Sequence, residues 1–70
     1  MPDRRLEVHL KAMRIQAGLT QAELALKVGV TRKTINTVEN GVFIPSTVLA
    51  LSLARALGVT VETLFTLRED

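Results

Sequence analysis

The sequence predicts a compact all-α domain of five short helices, and three observations support this fold class. Seventy residues, 47% of them apolar but only 3% aromatic, provide one small core of Leu, Val and Ala. Apolar residues recur at helical spacing. Each glycine follows such a segment, and Ser or Thr begins every segment after the first. The chain is therefore expected to form one domain, residues 1–70, with helices at about 4–17, 21–28, 32–40, 47–57 and 61–67.

The first predicted helix starts at Pro2 and Asp3 and ends before Gly18. Its apolar stripe consists of Leu6, Leu10, Met13 and Ala17. Arg14 lies within this stripe, and Glu39 lies at the edge of the inner face of the third helix. An isolated buried charge is very costly, so the two side chains are predicted to form a partly buried ion pair. The alternative is that both extend to solvent.

The second and third helices are predicted to be joined by a very short turn. Thr20 and Glu23 have the spacing of a capping box. Gly29 ends the second helix, and Thr31 begins the third. Helices joined in this way cross steeply and pack through their apolar faces, here Leu24, Ala25, Val28, Ile35 and Val38. This pattern is typical of a helix-turn-helix.

The outer face of the third helix carries a continuous polar stripe made up of Arg32, Lys33, Asn36, Thr37 and Asn40. Every member can donate a hydrogen bond and none is acidic. A helix fits the major groove of DNA, where Arg or Lys reads guanine and Asn reads adenine. Any solvated helix face is polar, but the short turn and the two caps favour binding to double-stranded DNA.

Base readout is expected from the first four residues of this stripe, Arg32, Lys33, Asn36 and Thr37. Arg32 is the candidate for a bidentate contact to guanine, and Thr37 for packing on a thymine methyl group. Asn36 is also a candidate for a phosphate contact.

The remainder of the chain is predicted to complete the helical core. Residues 42–45 form a connection, because the residue before Pro45 is biased away from helix. Ser46 caps the fourth helix, whose inner face is Ala50, Leu53, Ala54 and Leu57, and Thr60 caps the fifth. No strand pattern is recognised, and residues 68–70 are expected to be a frayed polar tail.

Composition argues against other classes of protein. The chain has no Cys and a single His, His9, which is expected on the surface of the first helix, so no catalytic residue, metal ligand or cofactor site is predicted. No apolar run approaches a membrane span, and a cytoplasmic protein is expected. The net charge of +2 is uneven, since residues 4–33 hold seven basic and two acidic residues, as expected for binding a polyanion.

Apolar residues left outside the predicted core indicate a homodimer. They are Ile44, Val48, Leu51, Phe65 and Leu67. One recognition helix reads only a few base pairs, so two copies are expected on a pseudo-palindromic operator. The alternative is that Phe65 closes the core of the monomer and Leu67 frays.

Several motifs of the chain resemble the phage Cro and CI repressor class of helix-turn-helix domains, also called XRE-like. They are Arg-Ile-Gln-Ala-Gly-Leu-Thr-Gln-Ala-Glu-Leu-Ala from Arg14, Val-Glu-Asn-Gly from Val38, Pro-Ser at 45–46 and Ala-Leu-Gly-Val-Thr-Val at 56–61. The resemblance covers about residues 10–65. It implies a five-helix domain that binds operator DNA, usually as a dimer. It also matches the ion pair of Arg14 with Glu39.

The resemblance implies that Gln21 contacts phosphate and supports the recognition helix. Further phosphate contacts are expected from Thr31, Asn40 and Ser46, and the N-terminus of the second or fourth helix is expected to present backbone N–H groups. The chain departs from the family at Val42 and Ile44, where basic or polar residues are common. This departure leaves open how much the loop contributes to backbone contacts.

Several alternatives stay open at the level of the sequence. A helical protein-interaction module would need apolar anchors on the polar stripe, which has none. Within the DNA-binding class, a free-standing repressor, an antitoxin-like autoregulator, a controller protein of a restriction system and an excised domain fit equally well. No small-molecule effector site is evident, and the operator and regulated genes are not readable.

Overall fold

The computed structural model of the chain describes residues 5–68. Five helices and two short strands follow one another along the chain, as β1 (Leu6–Val8), α1 (Leu10–Gln16), α2 (Gln21–Val28), α3 (Arg32–Glu39), α4 (Thr47–Leu57), α5 (Val61–Leu64) and β2 (Phe65–Leu67). The five helices confirm the predicted fold class. The two strands form a small antiparallel sheet that the sequence analysis did not predict.

Side-chain caps begin α2, α3, α4 and α5. The capping box of α2 is present, because the Thr20 hydroxyl accepts from the backbone N–H of Glu23 at 3.0 Å and Glu23 Oε1 accepts from the Thr20 N–H at 2.8 Å. Thr31, Ser46 and Thr60 accept in the same way from the third residue of their helices. Such caps satisfy backbone donors that the helix leaves unpaired.

The turn between α2 and α3 depends on Gly29, which has a φ of 75°. This left-handed conformation suits glycine and ends α2, while the Gly29 N–H still donates to the carbonyl of Ala25. Thr31 then begins α3 two residues later. The predicted bounds of α2 and α4 are those observed.

One apolar core lies where the helices meet. Its buried members are Leu10, Leu24, Ala25, Ile35, Val38, Leu53, Ala54 and Leu64. Helix α2 packs against both α3 and α4, and α1 packs against α3. The small side chain of Ala25, only 3% exposed, allows the close crossing that the short turn imposes. Val28, predicted to face inward, is partly buried at the edge of this core.

The predicted start of the first helix is wrong. Residues 6–8 form β1, and α1 begins at Leu10 with the exposed His9 as its N-cap residue. Leu6 therefore does not belong to a helical stripe; it pairs with Leu67 in the sheet. Helix α1 also ends at Gln16, which leaves Ala17 exposed outside it. Met1 to Arg4, with the proposed start at Pro2 and Asp3, lie outside the described residues.

The predicted end of the fifth helix is also wrong, since α5 is a single turn that stops at Leu64. The chain then extends through β2, whose Phe65 lies opposite Val8. Beyond β2, the Arg68 N–H donates to the carbonyl of Arg5 at 2.8 Å, so residue 68 is paired rather than frayed. Residues 69 and 70 lie outside the described residues. Helix α3 ends one residue earlier than predicted, with Asn40 as its C-cap.

Candidate nucleic-acid interface

Helix α3 has one buried face and one exposed face. Ile35 and Val38 are fully buried against the core, while Arg32, Lys33, Asn36 and Asn40 are exposed and Thr37 is partly buried. The structure thus brings the four base-reading candidates onto one surface of a helix that is anchored from behind. This is the arrangement that a helix needs in order to enter a DNA groove.

The predicted pair of Arg14 and Glu39 joins α1 to α3. Arg14 Nε donates to Glu39 Oε2 at 2.6 Å and Arg14 Nη2 to Oε1 at 3.3 Å. The two side chains are only 10% and 2% exposed. Arg14 Nη1 also donates to the carbonyl of Leu19, which ties the α1–α2 connection to the same centre. A bidentate, hydrogen-bonded pair is the geometry that makes buried charges tolerable.

Gln21 connects this ion pair to the exposed face of α3. Its Nε2 donates to Glu39 Oε1 at 2.9 Å and to Asn36 Oδ1 at 3.2 Å. Because a carboxylate can only accept, Glu39 fixes the orientation of the Gln21 amide. Gln21 Oε1 then accepts from Arg32 Nε at 3.4 Å. We name the surface formed by Gln21, Arg32, Lys33 and Asn36 the polar flank of α3.

The contact of Arg32 with Gln21 leaves the terminal nitrogens of Arg32 available to read a base. It uses Nε and not the two terminal nitrogens, which form the fork that matches guanine O6 and N7. The contact therefore positions the guanidinium at the start of α3 without occupying the atoms that would read a base. Lys33, the next residue, is exposed at the centre of the outer face.

Further along α3, several polar groups are already engaged within the helix. Asn40 Nδ2 donates to both the backbone O and the Oδ1 of Asn36, at 2.9 and 3.2 Å. Asn36 Oδ1 thus accepts from two donors, so Asn36 offers its amide N–H groups, rather than a donor–acceptor pair, to DNA. The Thr37 hydroxyl donates to the Thr34 carbonyl at 2.9 Å, so its hydrogen is used, and its methyl group and hydroxyl oxygen remain for contact with a base.

The remaining phosphate candidates lie at helix N-termini. Thr31 and Ser46 are exposed caps of α3 and α4. The Ser46 hydroxyl accepts from the Leu49 N–H, so its own hydrogen can be donated to another oxygen. Asn40, by contrast, would have to break its bonds to Asn36 before it could donate to a phosphate.

A second, apolar surface borders α3 opposite the polar flank. It is a shallow groove lined by Lys33, Thr34, Thr37, Val42 and Phe43, and we name it the apolar flank. From the sequence, Val42 is only a departure from a family pattern, and Phe43 has no predicted role. The feature of the sequence that could have indicated the apolar flank is the run of apolar residues 42–44, which follows the polar stripe and Gly41.

Four of the five dimer candidates lie around one outer surface of α4. Ile44, Leu51 and Phe65 line one groove, together with residues of β1 and α5, and Val48 and Leu51 line a neighbouring one with Lys27 and Arg55. Val48 and Leu51 are 74% and 57% exposed. Phe65 is only partly exposed, because it also packs against the core. Leu67 is exposed in β2.

The described residues offer little for other kinds of site. Residues 5–68 contain no cluster of His, Cys, Asp or Glu suited to a metal ion, and no helix among them is long and apolar enough to cross a membrane. The Glu23 carboxylate has a lowered pKa because it accepts a hydrogen bond from the Thr20 backbone and interacts with the Thr20 hydroxyl. This carboxylate closes the capping box and is exposed.

Comparison with known proteins gives consistent matches over most of the chain. A family described as helix-turn-helix matches residues 10–64. An uncharacterised HTH-type transcriptional regulator of Methanothermobacter thermautotrophicus is 50% identical over 62 residues, which cover 87% of this chain and 90% of that protein. Another, from Methanocaldococcus jannaschii, is 43% identical over 61 residues, covering 87% and 92% of the two chains.

Two solved structures are similar in both fold and sequence. The restriction-modification controller protein C.AhdI from Aeromonas hydrophila has a TM-score of 0.72 and 36% identity, covering 76% of this chain and 80% of that one. The clp gene regulator ClgR from Corynebacterium glutamicum has a TM-score of 0.73 and 31% identity, covering 77% of this chain. The match spans 57% of the ClgR chain.

Proposed function

Because the chain belongs to the helix-turn-helix family of DNA-binding transcriptional regulators, we propose that it reads the major groove of an operator with the exposed face of α3. In this proposal Arg32 and Lys33 contact bases near the N-terminus of α3, where contacts of this motif concentrate. Thr37 packs on a thymine methyl group, and Asn36 donates to a base or a phosphate. Gln21, Thr31 and Ser46 hold phosphates on either side, as Asn40 does once it is released from Asn36.

The observation that carries this proposal is the fate of the one acidic side chain on α3. The side chain of Glu39 is 2% exposed and is held by Arg14 and Gln21, so the exposed face of α3 presents cations and neutral donors but no carboxylate. An exposed carboxylate would repel phosphates. Gln21, which donates to Glu39, also accepts from Arg32 Nε. Both side chains are therefore positioned before DNA binds.

Selection of bound sequences from a random pool of duplex DNA tests the proposal directly. We expect enrichment of a motif that contains a guanine in each half-site. The absence of any enriched motif would contradict sequence-specific readout and would favour a helical protein-interaction module instead.

Arg32→Ala then tests the assignment of base readout. We expect it to weaken binding to the selected site by about 1–3 kcal/mol and to relax preference at one position. Lys11→Ala, which removes an exposed cation from α1 outside the proposed DNA and dimer surfaces, is the matched control and should leave the preferred sequence unchanged. Equal weakening on selected and random DNA would reassign Arg32 to the phosphate backbone.

We propose further that two copies bind a pseudo-palindromic operator through the outer surface of α4. Arg55 and Glu62 lie in the two grooves that Leu51 separates. A two-fold axis near Leu51 would place Arg55 of each copy opposite Glu62 of the other. The recognition helices of such a dimer lie about 34 Å apart, one turn of DNA.

Sedimentation with and without operator DNA tests the dimer. We expect two copies per duplex and a motif with inverted symmetry. One copy per duplex at saturation, on a site without such symmetry, would exclude this arrangement.

A role like that of a restriction-modification controller is a second candidate, favoured by the match to most of the C.AhdI chain. A protein in this role would bind DNA beside the genes of a restriction-modification system. Footprinting on that DNA tests it, and protection only at distant promoters would contradict it.

A further inference from the structure

The two flanks of α3 differ in chemistry although they share Lys33. The polar flank offers amide and guanidinium groups. The apolar flank offers the side chains of Val42 and Phe43, which are 54% and 46% exposed. Apolar carbon held at the edge of a polar recognition surface remains in contact with water until a partner covers it.

We propose that the apolar flank is a specificity subsite that takes the C5-methyl groups of thymines in the operator. This inference rests on the proposed function and names a second set of specificity-determining residues for the same surface. The residues that act are Val42 and Phe43, with the methyl group of Thr37 between them and the centre of α3.

The position of the flank supports this assignment. Lys33 and Thr37 belong both to the groove and to the outer stripe of α3, so whatever lies against the stripe also reaches the groove. The hydroxyl hydrogen of Thr37 is directed to the Thr34 carbonyl, so Thr37 presents no donor to the groove that it lines with Val42 and Phe43.

The loop is also fixed to α3. The N–H groups of Val42 and Phe43 both donate to the carbonyl of Thr37, at 3.0 and 3.2 Å. These two bonds hold the loop against the C-terminal part of the helix. The backbone of the loop therefore keeps its position relative to the recognition face, and little backbone entropy remains to be lost on binding.

The chemistry of the loop selects thymine methyl groups over the other surfaces of DNA. Contacts to phosphates need cations or hydrogen-bond donors, and the side chains of residues 42–44 supply none. On the base edges of the major groove, the apolar group is the C5-methyl of thymine. We therefore expect a thymine in each half-site on the side that faces the C-terminal end of α3.

Replacing single thymines of the selected operator by deoxyuridine tests the subsite, because it removes only the methyl group. At one thymine per half-site we expect affinity to fall about three- to fivefold, the equivalent of one buried methyl group. With Val42→Ala or Phe43→Ala, affinity for the thymine operator should fall. The ratio of the affinities for the thymine and uridine operators should then approach one. Both substitutions retain the backbone donors to Thr37, and both sites are about half exposed, so the domain is expected to fold.

Leu26→Gln on α2, which changes a residue that is 85% exposed, is the matched control and should leave the uridine effect intact. If neither loop variant changes the response to any uridine, the subsite does not exist. If Phe43→Ala weakens selected and random DNA equally, the loop contacts the sugar–phosphate backbone and the proposal fails. Both outcomes are distinct from failure of the proposed function, in which the parent protein selects no operator.

Discussion

The helix-turn-helix and the terminal sheet are held together by different kinds of interaction. Within residues 20–40, helix ends are closed by side chains three positions away, and α3 is tied to α1 by one buried ion pair. The sheet instead joins residues from opposite ends of the chain. His9 and Glu7 meet Thr66, 57 and 59 positions away, at 3.1 and 3.3 Å.

This difference makes the two regions vulnerable in different ways. The helix-turn-helix concentrates its polar contacts on the Glu39 carboxylate, so removing that one group strands a buried charge. The sheet distributes its stability over several exposed backbone hydrogen bonds, each of modest worth. Damage to the first region should affect both folding and base readout. Damage to the second should affect folding and, through Leu6 and Phe65 in the groove beside α4, the contact between copies, but not base readout.

The largest expected effect is that of Glu39→Ala. It leaves Arg14 buried without its partner and should lower the free energy of unfolding by about 3–5 kcal/mol, much of the stability of a domain of this size. Urea unfolding followed by circular dichroism measures it, and a variant that is unfolded without urea has lost at least the measured stability of the parent protein.

The double variant Arg14→Met with Glu39→Met is the control, and it should be much milder because no charge is left unpaired. If Glu39→Ala unfolds like the parent protein, the pair contributes little and the contrast between the two regions disappears.

Thr66→Pro should produce the next largest effect, about 1–2 kcal/mol. The bonds from the His9 N–H to Leu64 and from the Arg68 N–H to Arg5 bracket the sheet, so Glu7 and Thr66 form the hydrogen-bonded pair between them. Proline removes that donor and imposes its own φ. Hydrogen exchange at His9 and Arg68 should accelerate, while the preferred DNA sequence of each half-site should stay unchanged, because the sheet lies outside the residues of the polar and apolar flanks of α3.

Thr66→Val is the matched control for this prediction. It keeps the backbone N–H but loses the hydroxyl contacts to His9 and Glu7, and it should behave like the parent protein. A changed preference at any base of the half-site in Thr66→Pro at full folding would show that the sheet contributes to the DNA-binding surface.

The same contrast explains which parts of the fold the sequence predicts. Caps such as Thr20 with Glu23 are local, and their spacing is visible along the chain. The ion pair was predictable because each charge interrupts an apolar stripe. The strands were not, because Leu6 and Leu10 have helical spacing, and three-residue alternation in β1 and β2 is too short to indicate a strand. Only their pairing across the whole chain stabilises them.

The candidate site divides in the same way. The outer stripe of α3 follows from periodicity alone, since Ile35 and Val38 define the buried side. The contacts of Gln21 with Arg32 and Asn36 do not, because they depend on how closely α2 crosses α3. The apolar flank depends on the path of the loop after Gly41, which sequence patterns do not specify.

Removal of the cap of α2 should have a smaller effect. Thr20→Ala loses the bond to the Glu23 N–H and should cost about 1 kcal/mol in urea unfolding. Ser, which keeps the hydroxyl, is the control, and Thr20→Ser should retain most of the stability. A loss in Thr20→Ser as large as in Thr20→Ala would mean that the hydroxyl is not the source of the effect.

The pH dependence of the same cap provides an independent measurement. The pKa of Glu23 is lowered in the folded state, so the unfolded state binds this proton more tightly. The resulting stabilisation is complete above the ordinary pKa of glutamate and is lost as the pH falls through the lowered value. Glu23→Gln should therefore be less stable than the parent protein at neutral pH, and the difference should shrink in acid. A difference that does not vary with pH would contradict this role of the carboxylate.

The smallest effect on stability is expected at the outer surface of α4, which belongs to neither region. Leu51 is 57% exposed, so Leu51→Gln removes little buried area and retains helix propensity. The free energy of unfolding of the monomer should stay within about 0.5 kcal/mol of the parent value.

If this surface joins two copies, Leu51→Gln should nevertheless need a higher protein concentration to bring the second copy onto the operator. Leu26→Gln on α2 should leave both the stability and the protein concentration needed for the second copy unchanged, because Leu26 lies outside the residues that line the two α4 grooves. Titrations of operator DNA with both variants measure the difference. If both variants bind equally, the contact between copies does not involve this surface of α4. A large loss of monomer stability in Leu51→Gln would mean that Leu51 belongs to the core instead.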